Sequence, residues 1–75
     1  MTKNPYWLYL EALRRSGETN MYGADPYLIK RFDLDKKEAI QALINWMQNY
    51  NPEDYEVDGE RISDEELRKL VKWEQ

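Results

Sequence analysis

The 75-residue chain contains neither cysteine nor histidine. Without cysteine there is no disulfide framework and no thiolate site, a composition compatible with a reducing compartment. Without histidine the chain lacks the side chain that most often serves as a general base or metal ligand. A glycine-rich phosphate loop is also missing. These absences argue against an enzyme, and we expect no catalytic residue, no cofactor and no metal site.

Long apolar runs are absent as well. No segment approaches the roughly 20 apolar residues that a membrane-spanning helix needs, and residues 1–6 lack the apolar stretch of a signal peptide. We therefore expect a cytoplasmic protein without a membrane partner. The length predicts a single domain over residues 1–75, near the lower limit for an unaided hydrophobic core. Three Trp, six Tyr and one Phe can supply much of that core.

Charge is unevenly distributed along the chain, whose net charge is −4. Residues 1–50 carry seven basic and six acidic groups, whereas residues 51–75 carry four basic and nine acidic ones. The excess negative charge therefore belongs to the C-terminal third. The net charge alone does not exclude nucleic-acid binding by the first fifty residues.

Capping signals and apolar periodicity predict helices at about residues 5–15, 23–32, 35–50 and 64–73. Asn4-Pro5 is a typical helix start, and Gly17 suits the position after a helix. Glu11, Arg14 and Arg15 are predicted to form the polar face of the first helix. We interpret the chain as an all-α bundle of three to four helices with a helix-turn-helix-like core.

The expected core combines apolar positions from every helix. Its predicted members are Trp7, Leu10, Leu13, Leu28, Phe32, Leu34, Ile40, Leu43 and Met47. The fourth helix is expected to add Leu67, Leu70, Val71 and Trp73 to this body.

The acidic connector between the last two helices, residues 53–66, is predicted to form a turn or a short hairpin around Asp58-Gly59. Asp54, Glu56 and Asp58 also fit the first positions of a calcium-binding EF-hand loop. Arg61 stands where that loop requires an apolar residue, so a solvated turn is the better interpretation. A negatively charged patch that meets a basic protein is a further alternative.

A helix-turn-helix is the main functional lead in the sequence. The helix at 35–50 carries a polar stripe with Gln41, Asn45 and Gln48, side chains able to contact base edges. Lys36 and Lys37 at its start, with Lys30 and Arg31, offer contacts to phosphate. Glu38 lies on the same stripe, however, and its charge opposes nucleic acid. The stripe is a candidate partner- or DNA-binding face, and the alternative is the ordinary solvated face of an amphipathic helix.

The segment between the first two helices is a candidate binding loop. It contains two glycines and an adjacent Met21-Tyr22 pair. The preferred interpretation is that both side chains tuck beneath the first helix while Asn20 caps the second, because a small core needs its apolar side chains.

Residues 16–24, Ser-Gly-Glu-Thr-Asn-Met-Tyr-Gly-Ala, followed by a helix-turn-helix-like pair, resemble a segment of small uncharacterised bacteriophage and bacterial proteins. The resemblance covers about residues 6–50 and leaves the acidic third unmatched. It implies a phage or phage-derived origin and transfers no functional residue. Small phage proteins often bind a host protein, so the resemblance favours an interaction module.

Two functional hypotheses follow from the sequence. The first is a non-catalytic protein-binding module, expected to engage a host protein in the host cytoplasm. The alternative is a helix-turn-helix domain that reads DNA with helix 35–50, which the charge disfavours. The sequence identifies neither the partner nor the oligomeric state.

Overall fold

The computed structural model describes residues 1–72. Its helices are α1 (Pro5–Ser16), α2 (Asp25–Phe32), α3 (Lys36–Gln48) and α4 (Asp64–Leu70). Two 3₁₀ turns lie at Met21–Gly23 and Pro52–Tyr55, and two short strands, β1 (Glu56–Val57) and β2 (Glu60–Arg61), precede α4. The predicted small all-α bundle with a hairpin before the last helix is confirmed. None of the helices in residues 1–72 has the length and apolar character to cross a membrane.

Helix starts are set by local side-chain caps, as predicted. The Asn4 carboxamide oxygen accepts hydrogen bonds from the backbone N–H groups of Tyr6 and Trp7, at 3.0 and 3.4 Å. Asp35 caps α3 and Ser63 caps α4 in the same way. Such caps satisfy donors that have no partner inside the helix.

Helix ends differ from the prediction by a few residues. The second helix starts at Asp25 and not at residue 23, because Met21–Gly23 forms a separate 3₁₀ turn. The third ends at Gln48 and not at residue 50. The last ends at Leu70, and the predicted contribution of Trp73 lies outside the described residues.

The helix-turn-helix-like arrangement is formed by α2 and α3, which pack closely against each other. Three residues join them, and Asp33 adopts a left-handed conformation with φ of 54° that ends α2. α1 contacts both α3 and α4, so it occupies the central position that its wide apolar face predicts.

The acidic connector folds into the predicted hairpin. Glu56 pairs with Arg61 and Val57 with Glu60 in antiparallel register. The two turn residues, Asp58 and Gly59, both have positive φ, of 54° and 79°. Asp-Gly is a preferred pair for such two-residue turns because both residues tolerate this conformation.

Most of the predicted core residues lie in or against the core. Leu10, Leu13, Leu28 and Leu43 are buried, and Trp7, Phe32, Leu34 and Met47 are half-buried and pack around them. Trp46 and Tyr55 are buried although the sequence analysis did not place them there; only 3% and 1% of their surfaces are exposed.

The inward face of α3 is rotated relative to the prediction. Ala39, Leu43 and Trp46 face the core, whereas Ile40 and Ile44 are 37% and 41% exposed. The prediction that Ile40 is a core residue is therefore wrong. An indole ring buries more apolar surface than an isoleucine side chain, so the bundle gains by turning Trp46 inward.

Hydrogen bonding also favours this rotation. The Trp46 indole Nε1–H donates to the Tyr55 hydroxyl oxygen at 2.7 Å. The Tyr55 hydroxyl in turn donates to the backbone carbonyl of Trp7 at 3.3 Å. Buried indole and phenol groups need such partners. The chain of bonds joins α3, the second 3₁₀ turn and α1.

On α4, Leu67 and Val71 are buried but Leu70 is 52% exposed, so the prediction that Leu70 joins the core is wrong. Leu67 and Val71 are one turn apart and face α1 together, whereas Leu70 is displaced around the seven-residue helix. A short helix that packs mainly against α1 buries only a narrow face.

Within the predicted polar face of α1, Glu11 and the Arg15 side chain are buried in an ionic cluster, whereas the Arg14 side chain is 42% exposed. Glu11 is only 1% exposed, and its carboxylate accepts hydrogen bonds from Arg14 at 2.8 and 3.0 Å. Arg15 Nε donates to the same carboxylate at 3.0 Å. The Tyr50 hydroxyl lies 3.2 Å from Glu11 Oε1. A charged group is tolerated at this depth because several donors surround it.

Arg15 extends the ionic cluster to the C-terminal part of the fold. Its side chain is only 4% exposed, and its Nη1 donates to the carbonyl of Ile62 at 2.7 Å and to Asp64 at 3.0 Å. Arg15 therefore connects the carboxylate of α1 to the start of α4.

The cluster holds Glu11 in its ionised form. Burial raises the pKa of this carboxyl group, but the hydrogen bonds and positive charges of Arg14 and Arg15 together outweigh burial, so the pKa lies below its ordinary value of 4.5.

Replacing Leu43 with alanine tests the position of the core face of α3. We expect Leu43→Ala to lower the free energy of unfolding by about 2–5 kcal/mol, since it removes a buried side chain and leaves a cavity. Ile44→Ala, the matched control one residue away, should cost clearly less than Leu43→Ala, because Ile44 is 41% exposed and lies outside the core cluster. Urea unfolding measures both, and an equal loss in the two variants would show that α3 is rotated differently.

Glu11→Gln tests the ionic cluster through pH. Because the folded pKa of Glu11 lies below 4.5, its ionised form stabilises the fold above that pH, and this stabilisation is lost as pH falls through the folded pKa. We expect unfolding midpoints of wild type to approach those of Glu11→Gln as pH falls from 7 to 3. The control Glu65→Gln changes a carboxylate that is 83% exposed. Wild-type and Glu11→Gln curves that stay parallel over this range would contradict the role assigned to Glu11.

Candidate functional site

The predicted binding face lies on the outer surface of α3. Lys36, Lys37, Gln41, Asn45 and Gln48 are all exposed there. Gln41 and Asn45 lie one turn apart, and the Gln41 Nε2 amide donates to Asn45 Oδ1 at 3.2 Å. The two amides therefore form a connected pair on the helix surface.

A groove of about 470 Å³ runs between this part of α3 and the start of α1. We call it the α1–α3 groove; it is lined by Asn4, Tyr6, Trp7, Lys37, Glu38, Gln41, Ala42 and Asn45. The structure thus brings three of the predicted site residues to one cleft and leaves Lys36 and Gln48 outside its lining. Sequence analysis missed the contribution of α1, because nothing in the local pattern shows which end of α1 meets α3.

The aromatic wall of the α1–α3 groove is held in place by contacts on several sides. The Asn4 side-chain oxygen accepts a hydrogen bond from the Trp7 backbone N–H, and the Trp7 carbonyl accepts one from the Tyr55 hydroxyl. The Tyr6 ring packs edge-on against Phe32 of α2, with ring centroids 4.7 Å apart and an interplanar angle of 81°. Both aromatic residues are half-buried, so each leaves part of its surface in the groove.

The polar lining of the groove has balanced charge. It contains one cation, Lys37, and one carboxylate, Glu38, beside the neutral amides. A side-chain hydrogen bond with Asp35, together with the charge of Asp35, raises the pKa of Glu38. Amides and balanced charges suit hydrogen bonding to a neutral polar surface better than binding a polyanion.

One of the basic residues proposed as phosphate contacts is engaged within the fold. The Arg31 guanidinium donates to the carbonyl of Val71 and lies 5.4 Å from the centre of the Phe32 ring. Arg31 is therefore engaged in fastening α2 to the end of α4. Lys36 and Lys37 are exposed at the start of α3.

In the candidate loop, Met21 and Tyr22 occupy different environments. Met21 is half-buried against the core, as expected, but Tyr22 is 85% exposed, so the prediction that it tucks beneath α1 is wrong. Asn20 caps the 3₁₀ turn, accepting from the Tyr22 N–H at 3.0 Å, and this turn directs the ring outward. The loop follows the C-terminal end of α1, about 14 Å along that helix from Trp7 of the α1–α3 groove.

The acidic hairpin is solvated, with Val57, Asp58, Gly59 and Glu60 exposed. Within residues 1–72 no group of three or more His, Cys, Asp or Glu side chains is arranged to hold a metal ion. The two-residue turn at Asp58-Gly59 joins the strands directly, whereas the longer EF-hand loop wraps its oxygen ligands around a central ion.

Comparison with protein families, curated proteins and solved structures finds no match to this chain. The resemblance of residues 16–24 to phage proteins therefore stays an expectation.

Tyr55→Phe tests whether the buried hydroxyl supports the aromatic wall. The change leaves the Trp46 indole N–H without its acceptor and removes the Tyr55 hydroxyl bond to the Trp7 carbonyl, and we expect a loss of about 1–3 kcal/mol in unfolding free energy. Urea unfolding followed by tryptophan fluorescence measures it. Tyr22→Phe removes a hydroxyl from an exposed ring and should unfold like wild type. Wild-type stability of Tyr55→Phe would contradict this assignment.

Proposed function

We propose that the protein is a non-catalytic protein-binding module that takes its partner in the α1–α3 groove. The observation that carries this proposal is a half-buried aromatic pair, Tyr6 and Trp7, beside exposed amides of Gln41 and Asn45. Protein interfaces commonly place an aromatic anchor at the centre and hydrogen-bonding groups around it. Here the anchor comes from α1 and the amides come from α3.

The exposure of the groove walls favours a protein over a small molecule. Lys37, Gln41 and Asn45 are exposed on α3, so their side chains do not enclose the cleft. Clefts that bind small ligands bury about 70–90% of the ligand surface. A partner protein inserts one or two side chains against Trp7 and covers the amides with its own surface.

Charge supports the choice of a protein over DNA. The groove is lined by one lysine and one glutamate, and Arg31 is engaged with Val71. Nucleic-acid affinity depends on several cations that face phosphates together. The feature that keeps DNA binding as the second candidate is the α2–α3 pair with Lys36 and Lys37 exposed at the start of α3.

The resemblance to phage proteins suggests where the partner comes from. It makes a host cytoplasmic protein the expected partner. The negative charge of the acidic third of the chain would complement a basic surface on that protein. This part of the proposal depends on the resemblance alone, whereas the position of the binding surface depends on the groove.

The proposal is tested by changing the amides of the groove. The full chain is immobilised, the protein that it captures from host lysate is purified, and the affinity is measured by calorimetry. We expect Gln41→Ala/Asn45→Ala to weaken binding at least about tenfold, equivalent to roughly 1.4 kcal/mol. Gln48→Ala is the matched control, because it removes the same amide from α3 outside the groove lining. Equal affinity in the double variant and the control would overturn the assignment of this groove.

A parallel titration with duplex DNA examines the second candidate. Binding in low salt that weakens steeply with added salt, and is lost in Lys36→Ala/Lys37→Ala, would favour DNA over the protein-binding proposal. We expect no such binding, since the groove lining is neutral overall.

A further inference from the structure

A second exposed surface lies on α3, on the side away from the groove lining. Ile40 and Ile44 are 37% and 41% exposed, and neither lines the α1–α3 groove. Residues four apart are neighbours on a helix surface. The pair therefore forms one apolar strip, which we call the Ile40–Ile44 strip.

The charges of α3 depart from the usual preference at both ends. Lys36 and Lys37 stand in its first turn together with Glu38, beside the positive end of the helix dipole. The last turn of α3 contains no basic residue, whereas the last turns of α1, α2 and α4 each contain two. Acidic residues Glu53 and Asp54 follow soon after the end of α3.

The lysines and the apolar strip share one side of the helix. At 100° per residue, Lys36 and Lys37 lie on either flank of the Ile40–Ile44 strip. Glu38, the acidic residue of the first turn, is directed to the groove that it lines. The strip is therefore apolar at its centre, positive where α3 begins, and free of basic residues where α3 ends.

We propose that two copies of the chain associate by laying their Ile40–Ile44 strips against each other in antiparallel orientation. Ile40 of each copy then packs against Ile44 of the other, around a two-fold axis level with residue 42. In this arrangement Lys36 and Lys37 of one copy approach the last turn of α3 in the second copy. A second copy thus covers the apolar centre of the strip. It also brings positive charge to the C-terminal end of α3, which contains no basic residue.

The size of the strip sets the strength of the association. α3 has thirteen residues, so it is about 20 Å long. One pair of such helices buries less than the roughly 1,200–2,000 Å² of a stable interface. We expect a dimer that dissociates on dilution. Of the groove lining, Glu38, Ala42 and Asn45 lie on the side of α3 away from the strip, whereas Lys37 borders both surfaces. We therefore expect the dimer to leave Glu38, Ala42 and Asn45 accessible.

Sedimentation of the full chain tests the association directly. We expect monomer at micromolar and dimer at millimolar concentrations, with Ile44→Glu remaining monomeric throughout. Leu70→Glu is the matched control: it makes the same change at an apolar residue of α4 that is 52% exposed. Lys36→Glu/Lys37→Glu should weaken the dimer at least tenfold. Circular dichroism verifies folding, and Ile44→Gln replaces Ile44→Glu if the glutamate variant does not fold.

Cysteine cross-linking tests the orientation, since the chain has no native cysteine. In an oxidised mixture of Ile40→Cys and Ile44→Cys, antiparallel packing favours disulfides between position 40 of one copy and position 44 of the other. Parallel packing would favour links between identical positions, because disulfides require Cα atoms within about 4.4–6.8 Å.

Monomer at every concentration, equal loss of dimer in Leu70→Glu and Ile44→Glu, or links mainly between identical positions would each overturn the proposal. Capture of a host protein through the groove is measured separately, so failure of the dimer is distinguishable from failure of the proposed function.

Discussion

The ionised carboxylate of Glu11 is the constraint on which the arrangement of the helices depends. A charge at 1% exposure is tolerated only when donors surround it, and here they come from Arg14, Arg15 and Tyr50. Arg15 also donates to the carbonyl of Ile62. Satisfying one carboxylate therefore places the end of α3 and the entry to α4 around α1. Apolar packing stabilises the bundle, while the ionic cluster restricts how its parts are oriented.

A second buried group, the Tyr55 hydroxyl, connects α3 to the Trp7 backbone at the α1–α3 groove. Burial raises the pKa of Tyr55 to about 12, opposed by the hydrogen bond from Trp46. The hydroxyl stays protonated at neutral pH, so it can accept from Trp46 and donate to the Trp7 carbonyl at once. Trp7 is thereby fixed at the backbone while part of its ring remains in the groove. An anchor held in this way loses little conformational freedom when a partner binds.

Local signals in the sequence predicted most of the fold. Asn4, Asp35 and Ser63 cap helices through hydrogen bonds to backbone N–H groups at most three residues away. The Asp58-Gly59 turn depends only on the backbone preferences of its own two residues. Short-range interactions therefore determine both features. The inward face of α3 could not be predicted in this way, because Trp46 becomes the better core residue only when Tyr55 meets it. The groove was missed for the same reason, since it forms between α3 and the distant start of α1.

The rotation of α3 also links the two proposed surfaces. Turning Trp46 inward satisfies its indole N–H, but it moves Ile40 and Ile44 outward, where apolar side chains gain nothing from water. The same rotation carries Gln41 and Asn45 to the edge of the groove. Polar residues are the usual occupants of such outward positions on an amphipathic helix. In the proposed dimer, a second copy recovers part of the apolar burial lost in the monomer, because it covers the strip.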